Sequence, residues 1–389
     1  MPETPGEPVK AAVITPGSFV IPSGMSSSVE RMIENTVPLA AAQIQSRIYG
    51  IRGKGLPDHD SVHGVECVRV SPGASYGRRI IDHLKDWKPD VIDVHNRPRI
   101  AKMMAAAFQQ SSVVLTLHSL TFVEPPYMSA DKAGQLLDIP DRIVVDSDFL
   151  GGTLMKRYPF LQGRVESNLL GVRLQDFLPR WTPAAEALRE AKLRDRGWQQ
   201  RKIVMYAGRL LPEKGVHILL EALPELVRAE PQILLLIVGG AYYGSRQSTL
   251  YSRRLNQLAE QAPQHVMFIP FTPYTGMAQY YNLADLVVVP SLGNEAFGLV
   301  NVEAMASAVP VVASDAGGIP EVVKDGVTGR LIPKERLKEL LPEIILQLLR
   351  DAGQRQAMGL AGREEARHRL RWEHTARRWE QLMQKAAGR

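Results

Sequence analysis

The sequence predicts an α/β protein made of two doubly wound parallel-sheet domains, and three observations carry that expectation. Short apolar runs alternate with amphipathic stretches, the pattern of βαβ units. The alternation occurs twice, from Val9 to Asn168 and again from Lys202, with the turn-rich stretch GVRLQDFLPRWTP at Gly171–Pro183 between the two series. At 389 residues the chain is also too long for one compact core and suits two domains of ordinary size.

Composition narrows the class. Hydrophobic residues at 45% and charged residues at 23% are those of a soluble globular protein, not of a fibrous or disordered one. The N-terminus, MPETPGEPVK, lacks a basic region followed by an apolar core and does not read as a signal peptide. Apolar runs such as Ile233–Val238 fall far short of the roughly 20 residues that span a bilayer and read as buried strands. The single cysteine, Cys67, rules out an internal disulfide. A net charge of +6 suits an anionic ligand or a membrane surface, but the lysines and arginines form no block and no nucleic-acid motif is present, so no nucleic-acid partner is expected.

In the first half, strands are expected at Lys10–Ile14, Val65–Val70, Val91–Val94, Val113–Leu117, Arg142–Val145 and Arg164–Glu166, with a helical segment at Ala101–Gln109. In a doubly wound sheet, ligands belong at the C-terminal ends of the strands. The turn after the first strand, TPGSFVIPSGMSSSVERM, is not a dinucleotide-binding glycine fingerprint, and Ser27 with Glu30 forms a capping box for the next helix. His95 and His118 each close a strand and so stand at the edge where ligands bind. Asp146-Ser147-Asp148 spells an acidic triplet that elsewhere holds a metal, but here it opens a helix near Asp148, where acids suit the dipole. His59 and His63, with Asp58 and Asp60, sit in a polar loop with no further ligand, so no metal site is expected. At the end of the chain, Trp372 and Trp379 share one face of an amphipathic helix, and core packing explains them.

The second series opens with strand Lys202–Tyr206 and runs into AGRLLPEKG, which places Arg209 and Lys214 in the loop at the strand's C-terminal end. Two cations there can bind a phosphate group, arginine through its planar fork and lysine as a point charge. Strand Ile233–Val238 ends in Gly239-Gly240, where a ligand can approach backbone, and Arg246, Arg253 and Arg254 follow on a solvated face or an acceptor-facing patch. Strands Val266–Ile269 and Leu286–Val289 lead to PSLGNEAFGLVNVEAMASAVPVVASDAGGIPEVV: a loop holding Glu295, a helix over Gly298–Ser307 carrying Glu303, a strand at Val309–Ala313 and the Gly317-Gly318 turn. Unpaired amides at Phe297, Gly298, Leu299 and Val300 and the dipole of that helix favour a phosphate. With one glutamate on each side of that position, the layout fits a sugar, a diphosphate and a ribose.

Glu295 and Glu303 with seven residues between them, inside E-A-F-G-L-V-x-x-E-A-M-A and followed by P-V-V-A-S-x-x-G-G-I-P-E-V-V, resemble the family 4 glycosyltransferases, whose fold is GT-B, two Rossmann-like domains. G-R at 208–209 and E-K-G at 213–215 keep the family's spacing. The likeness spans nearly the whole chain and is strongest from Tyr206 to Leu331. His95-Asn96-Arg97-Pro98 resembles a turn found in bacterial cell-envelope and spore-coat members. Departures are Leu170 and Arg173, where the family usually has Asn and Asp, and Ala308 in place of a common glycine.

The resemblance implies a retaining hexosyltransferase that needs no metal and no cofactor, moving a sugar from a nucleotide diphosphate donor, a UDP-sugar first among them, to a hydroxyl on a glycan, lipid-linked or protein acceptor. It assigns residues 1–175 to the acceptor side, 176–370 to the donor side, and 371–389 to a helix returning to the first domain. It gives catalytic roles to Glu295, Arg209, Lys214 and His118, the last through the donor sugar. Donor contacts fall on Gly208, Gly239, Phe271, Thr272, Phe297, Gly298, Leu299, Val300 and Glu303. Acceptor contacts fall on Gly24, Ser26, Ser27, His95 and Asn96, for which capping and turn formation are sufficient alternatives. A cytoplasmic protein peripheral to a membrane or spore coat is implied. A non-catalytic sugar-nucleotide-binding or coat-structural protein of the same fold, or a nucleotide-sugar epimerase, shares the same features.

Overall fold

The structure, a computed structural model, describes residues 7–22, 24, 28–242 and 248–388. Ser26, Ser27 and Arg246 lie outside them. The chain forms two compact units, Met1–Leu170 with Trp372–Arg389, and Gly171–Arg371.

The first unit holds strands β1 (Val9–Ile14), β2 (Ile44–Ile51), β3 (His59–Val62), β4 (Val65–Val70), β5 (Val91–His95), β6 (Ser112–Leu117), β7 (Arg142–Val145) and β8 (Val165–Ser167). Among the described residues they form one sheet in the order β3-β4-β2-β1-β5-β6-β7-β8, parallel throughout except for β3 against β4. Strand order reverses at β1, which lies between β2 and β5. The crevice above a reversal of this kind is where a doubly wound sheet takes its ligand. β2 and β3 were not foreseen. His59 pairs with Val68 in β3 and so stands on an antiparallel edge strand, not in the expected loop. The C-terminal helix, Trp372–Ala386, packs against this unit through buried Trp372, Ala376, Trp379 and Met383, spaced at helical intervals.

The second unit holds β9 (Lys202–Ala207), β10 (Ile233–Val238), β11 (Val266–Ile269), β12 (Leu286–Val289), β13 (Val311–Ser314) and β14 (Gly329–Ile332). They form a fully parallel sheet in the order β11-β10-β9-β12-β13-β14, with the reversal between β9 and β12. These strands read as near-continuous apolar runs because both faces are covered. Helix Leu337–Arg350 supplies part of that cover, with Leu337, Leu341, Ile345 and Leu348 buried on one stripe. Each such side chain contributes on the order of 1.5–3 kcal/mol.

Candidate active site

In the second unit the reversal brings together the loops after β9 and β12, and glycines set how closely they approach. Gly208 and Gly239 close β9 and β10 at φ of +143° and +146°, and a Cβ on Gly239 would stand 1.9 Å from the Gly208 carbonyl oxygen. The Gly208 amide donates to Val238 O at 3.0 Å and the Gly239 amide to Ile269 O at 2.9 Å, so this mouth is bare backbone. Arg209 follows, with its carbonyl accepting from the Tyr206 hydroxyl at 2.8 Å. Lys214 ends a short turn closed by Gly215 at φ +71°, where a Cβ would lie 1.8 Å from Pro290 O. The amides of Leu292 and Gly293 both donate to Glu213 O, at 2.8 and 3.0 Å. The loop carrying the cations is thereby tied to the loop carrying Glu295.

The two side chains meet. Lys214 Nζ donates to Glu295 Oε2 at 2.5 Å, and Ser291 Oγ donates to the same oxygen at 3.2 Å. Ser291 is held in turn, its carbonyl accepting from Ser314 Oγ at 2.6 Å. The Glu295 backbone is clamped by the glycine turn: the Gly318 amide donates to Glu295 O at 2.8 Å, and Gly317, at φ +65°, lies flush against it.

Helix Leu299–Ala306 starts from Gly298, left-handed at φ 87°, with no side chain capping it. Asn301 closes that turn, its amide donating to Gly298 O at 2.9 Å and its Nδ2 to the same oxygen at 3.1 Å. Phe297 and Leu299 are buried, and Val300 is half-buried. Glu303 is buried too, and its Oε2 accepts from the Tyr281 hydroxyl at 2.7 Å. Tyr281 was not foreseen as a partner, since an aromatic at this spacing reads as core. Phe271 and Thr272 follow β11, Phe271 beside Gly240 and Thr272 Oγ1 donating to Pro270 O at 3.2 Å. Arg254 is on the surface, paired with Glu221 at 2.9 Å.

In the first unit, His95, Asn96 and His118 lie together. Asn96 is left-handed at φ 54°, and its Oδ1 accepts from the His118 amide at 2.9 Å. His95 Nδ1 and His118 Nε2 are 2.9 Å apart. His118 Nδ1 faces Asp146 Oδ1 and Oδ2 at 3.0 and 3.1 Å, so both ring nitrogens of His118 are engaged inside this unit. The acidic triplet therefore divides: Asp146 turns to His118, Ser147 Oγ caps the helix by accepting from the Leu150 amide, and Asp148 alone stands in the first helical turn. Trp379 does more than fill the core, because its Nε1 donates to Asp93 Oδ2 at 2.8 Å. Burial opposes the charge of His118, but Asp146 beside it and Asp93 further off outweigh burial and raise its pKa. Burial likewise pushes Asp93 up, yet His95, Thr116 and Trp379 outweigh it and hold the carboxyl below its usual range. Among the described residues, no three His, Cys, Asp or Glu side chains are grouped to hold a metal ion. No described helix is long and apolar enough to cross a membrane. Gly24 sits where an added Cβ would meet nothing within 4 Å.

Comparison with known proteins identifies the family. The family model for glycosyl transferases group 1 matches residues 189–365, which include Arg209, Lys214, Glu295 and Glu303. Spore coat protein SA of Bacillus subtilis is 28% identical over 369 residues, covering 95% of this chain and 97% of that one. The D-inositol 3-phosphate glycosyltransferase of Segniliparus rotundus is 36% identical over 330 residues, 84% of this chain and 71% of its own. Among solved structures, a sucrose-phosphate synthase from Thermosynechococcus elongatus superposes with a TM-score of 0.78 over 97% of this chain and 98% of its own, at 24% identity. With its two Rossmann-like sheets, the GT-B architecture, and these relatives, the chain belongs to the group 1 glycosyl transferases.

Proposed function

We propose that the chain is a retaining glycosyltransferase of family 4 that moves a sugar from a UDP-sugar to a hydroxyl of a glycan, lipid-linked or protein acceptor. The observation that carries this reading is the Lys214–Glu295 pair at the strand reversal, 2.5 Å apart and both partly open to solvent. The ammonium has three protons. One holds Glu295, and two remain for a phosphate. Lys214 and Ser291 both meet Oε2 of Glu295, which leaves Oε1 for a sugar hydroxyl. The uncapped helix start at Leu299 adds backbone amides for the diphosphate, and Glu303, steadied by Tyr281, is assigned the ribose.

In the reaction, the bond from the anomeric carbon to the diphosphate oxygen breaks while a bond to the acceptor oxygen forms on the same face. Negative charge grows on the leaving oxygen and positive charge on the sugar ring. Arg209 and Lys214 stabilise the first, and Glu295 orients and stabilises the second. The acceptor's proton passes to the leaving phosphate, which removes the need for a separate base. Donor binding is assigned to the second unit and acceptor binding to the first. Peripheral association with an envelope or spore coat is the accompanying localisation, and the likeness to spore coat protein SA supports it.

A thermal-shift and hydrolysis screen against UDP-, GDP- and ADP-sugars, with and without EDTA, tests the donor. A true donor raises the melting temperature with its concentration over Kd and is slowly hydrolysed; no shift with any of them would sink the transferase reading. The anomeric configuration of the first-formed product, read by NMR, tests retention. Arg209→Ala should lower kcat by about 10² to 10³, the scale for losing one preorganised charge-stabilising donor. Unchanged turnover would remove Arg209 from the mechanism.

A further inference from the structure

Four buried ionisable groups form a row across three adjacent strands of the first unit, three of them at the C-terminal strand ends and Asp93 two residues before one. Asp93 and His95 belong to β5, His118 follows β6, and Asp146 follows β7. Their relative exposures are 0%, 1%, 7% and 3%, so bulk water does not pair their polar atoms. From one end to the other, Asp93 Oδ2 lies 3.3 Å from His95 Nε2, His95 Nδ1 lies 2.9 Å from His118 Nε2, and His118 Nδ1 lies 3.0 Å from Asp146 Oδ1. The two imidazole planes are within 9° with centroids 5.2 Å apart, which together with the short nitrogen–nitrogen distance sets the rings edge to edge in a common plane.

Proton positions follow from what each atom faces. Asp93 Oδ2 accepts from the Trp379 indole, which can only donate, and Oδ1 accepts from Thr116 Oγ1 at 2.6 Å. Asp93 is therefore an acceptor at both oxygens. His95 Nε2 makes no well-aligned hydrogen bond, and the carboxylate at 3.3 Å is its counter-charge. A bare nitrogen there would set a lone pair against an anion, so Nε2 carries a proton. His118 Nδ1, facing both oxygens of Asp146, carries another. Two bare nitrogens would then be left 2.9 Å apart, each a buried unsatisfied acceptor costing about 1–3 kcal/mol. A third proton between them removes both penalties.

We propose that His95 and His118 share one proton, so that the pair is a single imidazolium held between Asp93 and Asp146, and that Asp93, His95 and Asp146 are positioning residues that fix the charge of His118. Three ring protons on four nitrogens give the pair one positive charge against two carboxylates. Glu30, buried on helix Ser28–Thr36, adds a weaker negative influence on His118 from further off, and the C-terminal helix contributes an indole N–H in place of a charge. The raised pKa of His118 agrees with this arrangement. His118 then acts by charge and not as a general base, since both its nitrogens are committed. The Trp379 bond makes the C-terminal helix part of the same array.

The test is a ¹H–¹⁵N spectrum of the 389-residue chain carrying ¹⁵N-histidine, recorded without substrate from pH 6 to 9, on a scale where a free imidazole titrates at about pH 6.5. The expected result at neutral pH is two fully protonated outer nitrogens and an inner pair of intermediate shift joined by one proton, titrating as a unit at a midpoint above that of a free imidazole. Asp93→Asn should move this midpoint down. Two neutral imidazoles at neutral pH, with two protons between them, would overturn the proposal. The wild-type spectrum decides the proton count whether or not the variant folds. The corresponding activity effect rests on the transferase reading: kcat should fall about tenfold for each pH unit beyond the pair's midpoint, and the alkaline limb of Asp93→Asn should move to lower pH. A positive spectrum with a flat activity profile would keep the shared proton and remove only His118's part in transfer. An alkaline limb that Asp93→Asn leaves in place would remove Asp93 as the residue that sets it.

Discussion

Replacing Gly317 with alanine perturbs Glu295 without touching its side chain, and the structure sets the size of the effect. A Cβ at Gly317 would lie 2.1 Å from the carbonyl oxygen and 2.6 Å from the amide nitrogen of Glu295, where 3.0 Å is the limit that real Cβ atoms observe. Backbone lies on both sides of the contact, so no side-chain rotamer relieves it, and Glu295 must retreat by about 1 Å, a displacement that costs on the order of 10² in rate when it misplaces a reacting group. Gly317 is also left-handed at φ +65°, which costs alanine a further 1–2 kcal/mol or so. Gly326 separates the two contributions. It is left-handed at φ +73° in the same unit, but a Cβ there meets nothing within 4 Å. Gly326→Ala should therefore lose stability alone, with the melting temperature down by about 2–4 °C per kcal/mol and kcat intact. Gly317→Ala should lose at least as much stability and about a hundredfold in kcat. Steady-state transfer with the donor from the screen, alongside melting curves, reads both. Equal kcat in the two variants would refute the argument that the glycine turn sets the position of Glu295.

The positions of the cations and carboxylates were legible in the sequence because they sit close along the chain and at strand ends. Gly208-Arg209 follows an apolar run, and Glu295 and Glu303 flank a helix start, so local pattern placed them at strand ends of a parallel sheet, while their assignment to a ligand came from the family resemblance. The fully buried strands were legible for the same reason. β2 was missed because IQSRIYGI mixes Gln45, Ser46 and Arg47 into its first half, and β3 because HDSV is a short polar edge. Of the carboxylate–histidine array, only the strand-end positions of His95 and His118 could be read. Trp379 and Asp93 are 286 positions apart, and only folding shows that the indole reaches the carboxylate. Asp146 was hidden by a sound local rule: an acid before a helix is usually a cap, yet Ser147 takes that role and frees Asp146 for His118. Local chemistry is readable where one segment supplies the whole of it, and unreadable where distant segments each supply one atom.

Tyr281→Phe removes the hydroxyl that steadies Glu303 and should raise the donor KM about tenfold or more, a hydrogen bond to a charged group being worth about 1.5–3 kcal/mol, with kcat little changed. A pure kcat loss would show that Glu303 does not hold the ribose. Ala308 is left-handed at φ 55° and is fixed from both sides, its amide donating to Met305 O at 2.9 Å and its carbonyl accepting from Trp181 Nε1 at 2.9 Å. Ala308→Gly should relieve that backbone and gain about 0.5–1 kcal/mol, so a lower melting temperature would refute it. Stability should also depend on pH through His118, and the sign follows from linkage. Its folded pKa is raised, so the protonated form binds more strongly in the native state. That stabilisation is complete below the unfolded value of about 6.5 and is lost as pH rises through the folded value. Asp93, held low by His95 against its burial, works in the opposite direction: its contribution is present above the ordinary carboxylate pKa and is lost only as pH falls through its depressed value. The melting temperature of the wild type should therefore decline from neutral to alkaline pH, and His118→Gln should flatten that decline while leaving the acid limb in place. An alkaline slope that survives His118→Gln would mean that the proton lost on that limb belongs to another group.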